Sequence, residues 1–423
     1  MKRTGIKALC AAASTLLGLL ALTVVPPAAA ATLTEVTGFG ANPSNLRMHL
    51  YVPDRVAPKP AVLLAVHYCG GSGTAFHSGT EFARLADQYG FAVIYPTVTR
   101  DSKCFDVSSP QALRRDGGSD PVGLMSMVNY VLQRHNGDSS RVFVTGASSG
   151  AMMTNVMLAN YPDVFNAGAA FAGVPAGCFA TTNGSEWNSE CANGTLLRTP
   201  QQWGDIARSA YPGYTGKRPR VQLWHGTQDD ILRYPNFGEE IDQWTNVHGL
   251  PTTPTSTDSP QANWTRTRYS DKVEAISLQG TGHSLPAGGM ALRAIQFFGL
   301  DTGQPPTTTT TTPPPGSSTC AVGYAVNPWN TGLTAQITIA NTGSTAIDGW
   351  TLDFALPGGQ RITNGWGATY APDSGTVTAR NVDYTARIAA GSSVQIGLQA
   401  THNGNPGAAT SFRLNGTTCT ATP

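Results

Sequence analysis

A run of nineteen residues at positions 301–319, DTGQPPTTTTTTPPPGSST, sets the first limit on what this chain can become. Proline and threonine without apolar periodicity cannot bury a core, so the run reads as an extended linker reaching at most roughly 60 Å. The chain on either side therefore folds as separate bodies, and the two sides are patterned differently. Over residues 31–300, continuous apolar runs alternate with helical spacing: AVLLAVHY at 61–68, EFARLADQYG, FAVIYP, MSMVNYVLQRH, then AGAAFAGV, VQLWHG from Val221 and VEAISLQG from Val273. Strands of this kind, separated by helices, predict an α/β domain of about 270 residues, with a mainly parallel sheet covered on both faces. The stretch from Pro175 to Gly216 lacks clear periodicity and holds Cys178 and Cys191, so it is expected to be a stapled excursion that shapes the site.

Residues 320–423 instead carry short alternating runs, AQITIAN, WTLDFAL, GTVTARN and SVQIGLQ, broken by Gly, Asn and Pro. That pattern predicts an all-β sandwich. At the other end, Lys2, Arg3 and Lys7 precede an apolar run to Val25 and then PPAAAA. Residues 1–30 therefore read as a secretory signal peptide cut after about Ala30; the prolines and alanines suit a cleavage region better than a membrane anchor. A secreted, extracellular protein is expected. Loss of the signal removes Cys10 and leaves Cys69, Cys104, Cys178, Cys191, Cys320 and Cys419, an even set that suggests three disulfides. Cys320 pairs with Cys419, closing a loop of about 100 residues worth up to about 4 to 5 kcal/mol in the chain-entropy model. Proximity pairs Cys178 with Cys191 and Cys69 with Cys104, which spacing alone does not force. No C-x-x-C or H-x-x-x-H spacing supports metal ligation, so no metal is expected. A net charge of +1 gives no reason to expect nucleic acid, no second run of membrane length occurs, and a monomer is expected.

The chemistry is concentrated at RVFVTGASSGAMMTNVML, residues 141–158. A short apolar strand runs into Gly146-Ala147-Ser148-Ser149-Gly150 and straight on into a segment of helical length. With 47 glycines in the chain, a G-x-S-x-G pentapeptide is weak evidence by itself. Its strand-to-helix setting is what resembles the nucleophile elbow of the α/β hydrolases, with Ser148 as nucleophile and small residues where the backbone passes close to its neighbours. Serine needs a base and an orienting acid. Asp229 and Asp230 follow VQLWHG, and His283 follows VEAISLQG, in the order Ser, Asp, His used by that fold and at the strand ends where a parallel sheet gathers its site. His283 would take the Ser148 proton and Asp229 would orient it. For the oxyanion, the Ser149 amide is one donor; in HYCGGSG the second is Cys69, with Tyr68 the runner-up. His67 and His225 read as buried, hydrogen-bonded supports. No cofactor is implied.

The segments HYCGGSG, ADQYGFAVIYP, CFDVSS, DGGSD, VFVTGASSGAMMTNVMLANYPDVF, AGVPAGCF, PGYTGKRP, HGTQD and GHSLP occur in the order found in the acetylxylan esterases of carbohydrate esterase family 1, which also contains feruloyl esterases. The first domain resembles that family along nearly its whole length, and more distantly the polyhydroxybutyrate depolymerase esterases. The resemblance implies Ser148, Asp229 and His283 as the triad, Asp229 rather than Asp230 because it fills the H-G-x-x-D position. Phe105 stands where relatives usually carry Trp and Arg115 where a His is common, both placed near the site and bearing on acyl preference.

In the last domain Trp350 lies inside an alternating strand and is expected in the core, whereas Trp329 in NPWNTG and Trp366 in TNGWGA sit among turn residues. An aromatic held flat on a surface stacks on a sugar face, contributing roughly 2 to 3 kcal/mol before ordering costs. From CAVGYAVNPWNTG through NTGSTAIDGWTLDF to FRLNGTTC this domain resembles the family 2 carbohydrate-binding modules, whose cellulose-binding members line up three surface aromatics. Trp329 and Trp366 match two, and Tyr384 stands at the third. The expectation is a secreted serine esterase that removes acetyl groups from acetylated xylan while its C-terminal module holds cellulose. The alternatives are a feruloyl esterase on feruloylated arabinoxylan, a polyester depolymerase, or a catalytically silent cellulose-binding protein.

Overall fold

The computed structural model describes residues 31–301, 319–343 and 345–422. The expected signal peptide lies outside them, as does the expected linker apart from its ends, Asp301 and Thr319.

The first body is built on a ten-stranded sheet. Its strands are β1 (Thr34–Val36), β2 (Arg47–Tyr51), β3 (Val62–Val66), β4 (Ala92–Thr97), β5 (Val142–Ala147), β6 (Ala167–Phe171), β7 (Arg220–Gly226), β8 (Ser256–Asp258), β9 (Trp264–Tyr269) and β10 (Val273–Leu278). The spatial order is β1-β2-β4-β3-β5-β6-β7-β10-β9-β8. The six central strands β4, β3, β5, β6, β7 and β10 are parallel, and antiparallel pairs close both edges. This is the mainly parallel sheet expected from the apolar runs. Side chains alternate across it: Val62, Leu64 and Val66 of β3 enter one core, and Leu63 and Ala65 the other. With both faces buried, no polar alternation is possible, which is why these strands read as unbroken hydrophobic runs. Helices Asp120–Arg134, Ser149–Asn160 and Pro235–Val247 supply the first core, and Phe82–Tyr89 and Met290–Phe298 the second.

Every residue of Ser149–Asn160 is buried, so this helix shows no polar face; it is covered on all sides. The stretch 175–216 holds two helices, Ser189–Ala192 and Pro200–Ser209. The second opens with a capping box, Gln202 N donating to Thr199 Oγ1 at 3.2 Å and Thr199 N to Gln202 Oε1 at 2.9 Å, a start signal legible as T-P-Q-Q.

The second body is a β-sandwich of two five-stranded sheets. One runs Arg361–Trp366, Ser393–Thr401, Gly332–Asn341, Cys320–Trp329, Thr420–Thr422; the other runs Ala368–Ala371, Thr376–Asn381, Thr351–Ala355, Phe412–Leu414, Thr417–Thr418. Trp350 is buried between them and donates from Nε1 to the Thr385 carbonyl at 2.7 Å. Three disulfides join Cys69 to Cys104, Cys178 to Cys191 and Cys320 to Cys419.

Candidate active site

β5 ends in the turn that carries Ser148, whose backbone sits at φ 54° and ψ −117°, a conformation costly for a side-chain-bearing residue. Neighbouring strands hold it there. Ser148 N donates to the Phe171 carbonyl of β6 at 2.9 Å, and a Cβ on Gly150 would overlap the Val66 carbonyl oxygen at the end of β3. Gly146 is equally tight, a Cβ there lying 2.8 Å from the same oxygen. These glycines are required by close approach, and the strained residue is the serine itself.

The loops after β7 and β10 bring the other two groups to this point. The Ser148 hydroxyl donates to His283 Nε2 at 2.9 Å, and His283 Nδ1 donates to Asp229 Oδ2 at 2.7 Å. The carboxylate can only accept, so it sets the proton on Nδ1 and leaves Nε2 free to receive one. Asp229 is buried while Asp230 is exposed, which separates the two aspartates that adjoin in sequence. Its Oδ1 accepts from the amides of Ile231 at 3.0 Å and Leu232 at 2.8 Å. Burial works against its charge, yet hydrogen bonds from His225 and His283 outweigh that and hold the carboxyl well below the usual carboxylate range. His225 is fully buried; its Nε2 donates to the Leu232 carbonyl at 2.8 Å, with Asp229 Oδ2 a longer second acceptor at 3.3 Å. Gly226 lets the two loops cross: Gln228 N donates to the Thr281 carbonyl at 2.9 Å, where a Cβ on Gly226 would collide.

A cleft of about 480 Å³ opens over Ser148 and His283, walled by Tyr68, Cys69, Ile231, Leu285 and Pro286. The last three are neighbours in sequence of Asp229 and His283, a proximity that sequence reading had not used. Ser149 is the first residue of a helix, so its amide has no intrahelical acceptor, and Cys69 reaches the same cleft. Phe105 lies close by, its amide donating to Ser149 Oγ at 3.3 Å. Two expectations are corrected. Arg115 is not at the cleft: its guanidinium is engaged by Asp163 at 2.6 Å and by the rings of Tyr161 and Tyr211, beyond the far end of the helix Ser149–Asn160. The excursion 175–216 contributes none of the cleft walls; it is tied to the helix Pro235–Val247, as where Gln243 binds both the amide and the carbonyl of Ala176.

On the sandwich, Trp329 and Trp366 are 45% and 43% exposed, among the few large hydrophobic side chains left open in the described residues, and each closes a strand. Tyr384, in the short turn Asp383–Thr385, is half-buried, with the Arg293 guanidinium 5.0 Å from its ring centre.

Two family models match the chain: Esterase PHB depolymerase over residues 46–185 and Cellulose binding domain over residues 320–419. Feruloyl esterase B of Talaromyces stipitatus is 45% identical over 273 residues, covering 63% of this chain and 76% of that protein. An acetylxylan esterase of Coprinopsis cinerea is 47% identical over 280 residues, 65% of this chain and 75% of its own length. The solved structure of an acetyl xylan esterase from Aspergillus awamori superposes with a TM-score of 0.62 at 41% identity, covering 64% of this chain and 99% of that one.

Proposed function

This chain belongs to the family of the acetylxylan and feruloyl esterases it matches, and from that premise we propose that it is a secreted esterase releasing acetate from acetylated xylan, with Ser148, His283 and Asp229 as its catalytic residues. It is a carboxylic ester hydrolase, and it carries a cellulose-binding module. The observation that supports the triad most directly is the unbroken hydrogen-bond chain from the Ser148 hydroxyl through His283 to a buried, ionised Asp229. In the reaction, His283 Nε2 takes the hydroxyl proton as Oγ attacks the acetyl carbonyl. The Cys69 and Ser149 amides receive the oxyanion, and the imidazolium returns its proton to the departing xylosyl oxygen. Water then repeats the sequence on the acetyl-enzyme and frees Ser148. The reading includes a division into an esterase body at 31–300, a linker at 301–319 and a module at 320–423. Trp329, Trp366 and Tyr384 stack on cellulose, so that tethering raises the enzyme's concentration at the fibre. The protein acts as a monomer outside the cell.

Feruloyl ester hydrolysis is the second reading, because feruloyl esterases match as closely as acetylxylan esterases. Parallel assays on acetylated xylan and methyl ferulate decide between them. Acetate release with kcat/KM at least tenfold above that on methyl ferulate is expected; the reverse ratio replaces the acetyl reading, and inactivity on both removes it.

A further inference from the structure

We propose that His67 is a positioning residue that aims the backbone N–H of Cys69 into the cleft, setting one of the two oxyanion donors. This rests on the Ser148 esterase reading and adds to it a group that does not touch substrate. His67 directly follows β3 and is fully buried. Its two ring nitrogens have opposite partners. The amide of Val98 donates to Nε2 at 3.2 Å, so Nε2 is the bare nitrogen, and Nδ1 carries the proton it gives to the Tyr68 carbonyl at 2.6 Å. A backbone amide has only a proton to offer and a carbonyl only lone pairs, so the protein backbone itself selects the tautomer. Burial also pushes this imidazole down to about 4, keeping it neutral across the working range of an esterase.

The Tyr68 carbonyl accepts a second bond, from Gly71 N at 3.1 Å. Two donors thus draw that oxygen inward. The Tyr68 carbonyl and the Cys69 amide belong to one planar trans peptide, in which C=O and N–H point to opposite sides. Drawing the oxygen toward His67 and Gly71 turns the Cys69 N–H the other way, toward the cleft that Cys69 lines beside Ser148. The imidazole is itself held: the Phe105 ring packs against it with centroids 4.8 Å apart, and the Cys69–Cys104 disulfide joins the two loops. A neutral, rigid group with a donor on one edge and an acceptor on the other meets both backbone partners, which an apolar side chain of the same volume does not.

The test uses the full chain on p-nitrophenyl acetate, with thermal unfolding of every variant. An oxyanion donor is worth about 10² to 10³ in kcat, and misaiming one forfeits part of that. His67→Leu keeps the volume and loses the donor; it is expected to lower kcat tenfold or more with KM within about twofold. In His67→Asn the amide nitrogen stands where Nδ1 stood, and kcat is expected to return to within fivefold of native. A loss below tenfold in the Leu variant, or equal losses in Leu and Asn, overturns the proposal. Should His67→Leu fail to fold, the Asn variant decides, a loss above fivefold in the folded protein counting against it. Ser148→Ala is run alongside: if that variant keeps native activity, it is the esterase reading that fails, whatever His67 does.

Discussion

Trp366 lies flat over Gly397, its partner across the antiparallel pair of strands Arg361–Trp366 and Ser393–Thr401; a Cβ built on that glycine would overlap the indole ring. Trp329 stands in the same relation to Gly332, where a Cβ would come within 2.6 Å of ring carbons. The missing side chains let each ring settle onto the sheet while it stays nearly half exposed, leaving ring surface that can stack on a sugar. Gly397→Val is expected to lift the Trp366 ring and weaken cellulose binding at least tenfold, about 1.4 kcal/mol, in a depletion isotherm. The rate on p-nitrophenyl acetate stays native. Unchanged binding would mean that the flat ring is not what holds cellulose.

The hydrogen-bond chain from Ser148 to Asp229 sets the order of losses expected there. Ser148→Ala removes the attacking oxygen, and acetate release is expected to fall by about four orders of magnitude or more, with cellulose binding untouched. Asp229→Asn keeps an acceptor for the Ile231 and Leu232 amides but presents neutral groups to His283. Its kcat is expected to fall by about 10⁴ while the fold survives. Native acetate release from either variant ends the triad reading.

Much of this site is legible in the chain because each member of the proposed triad follows a buried strand, and buried strands announce themselves as unbroken apolar runs. The same logic fails for β1 and β8, the two edge strands, and for β9 beside β8, all with exposed polar positions and little pattern to detect. It fails also for Arg115, which adjoins the D-G-G run in sequence while its guanidinium reaches Asp163, nearly fifty residues on. Sequence places residues on elements; which way a long side chain turns is decided by partners that only the fold brings near. Trp329 and Trp366 are readable as surface residues from their neighbours; Gly332 faces Trp329 across a two-residue turn, a local pairing, but Gly397 is a partner of Trp366 that only the fold brings near.

The Cys69–Cys104 bridge spans 35 residues and ties the loop bearing Cys69 to the one bearing Phe105. Closing a loop of that size is worth about 4 kcal/mol in the chain-entropy model. Cys69→Ala with Cys104→Ala is therefore expected to lower the unfolding free energy by roughly 2 to 4 kcal/mol, read from urea titration. On the proposed oxyanion role the bridge also steadies the Cys69 amide, so kcat is expected to fall with it while KM moves little. A variant that loses stability with native kcat would show that the bridge braces the fold and not the oxyanion site.

Glu240, on the helix Pro235–Val247, makes stability depend on pH in an unusual direction. Its carboxyl is wholly buried; Oε1 accepts from Asn155 Nδ2 at 2.6 Å, and Oε2 has no hydrogen-bond partner among the described residues. Burial pushes the group up to about 8, the Asn155 bond opposing only in part. The folded protein therefore holds this proton more tightly than the unfolded chain, where the carboxyl titrates near 4.5. Stability from this source is complete below that value and is lost as pH rises from about 4.5 to 8, by an amount on the order of 3 to 5 kcal/mol. Glu240→Gln imitates the protonated form at every pH. Melting curves between pH 5 and 9 should show the variant gaining on the native protein as pH rises, with the difference levelling off above about 8. His67, pushed downward by burial, acts in the opposite sense, withdrawing stability as pH falls below 6.5, but it is common to both proteins and cancels in the difference. Parallel melting curves would mean that Glu240 reaches solvent or a partner when ionised, and the buried-acid account would be wrong.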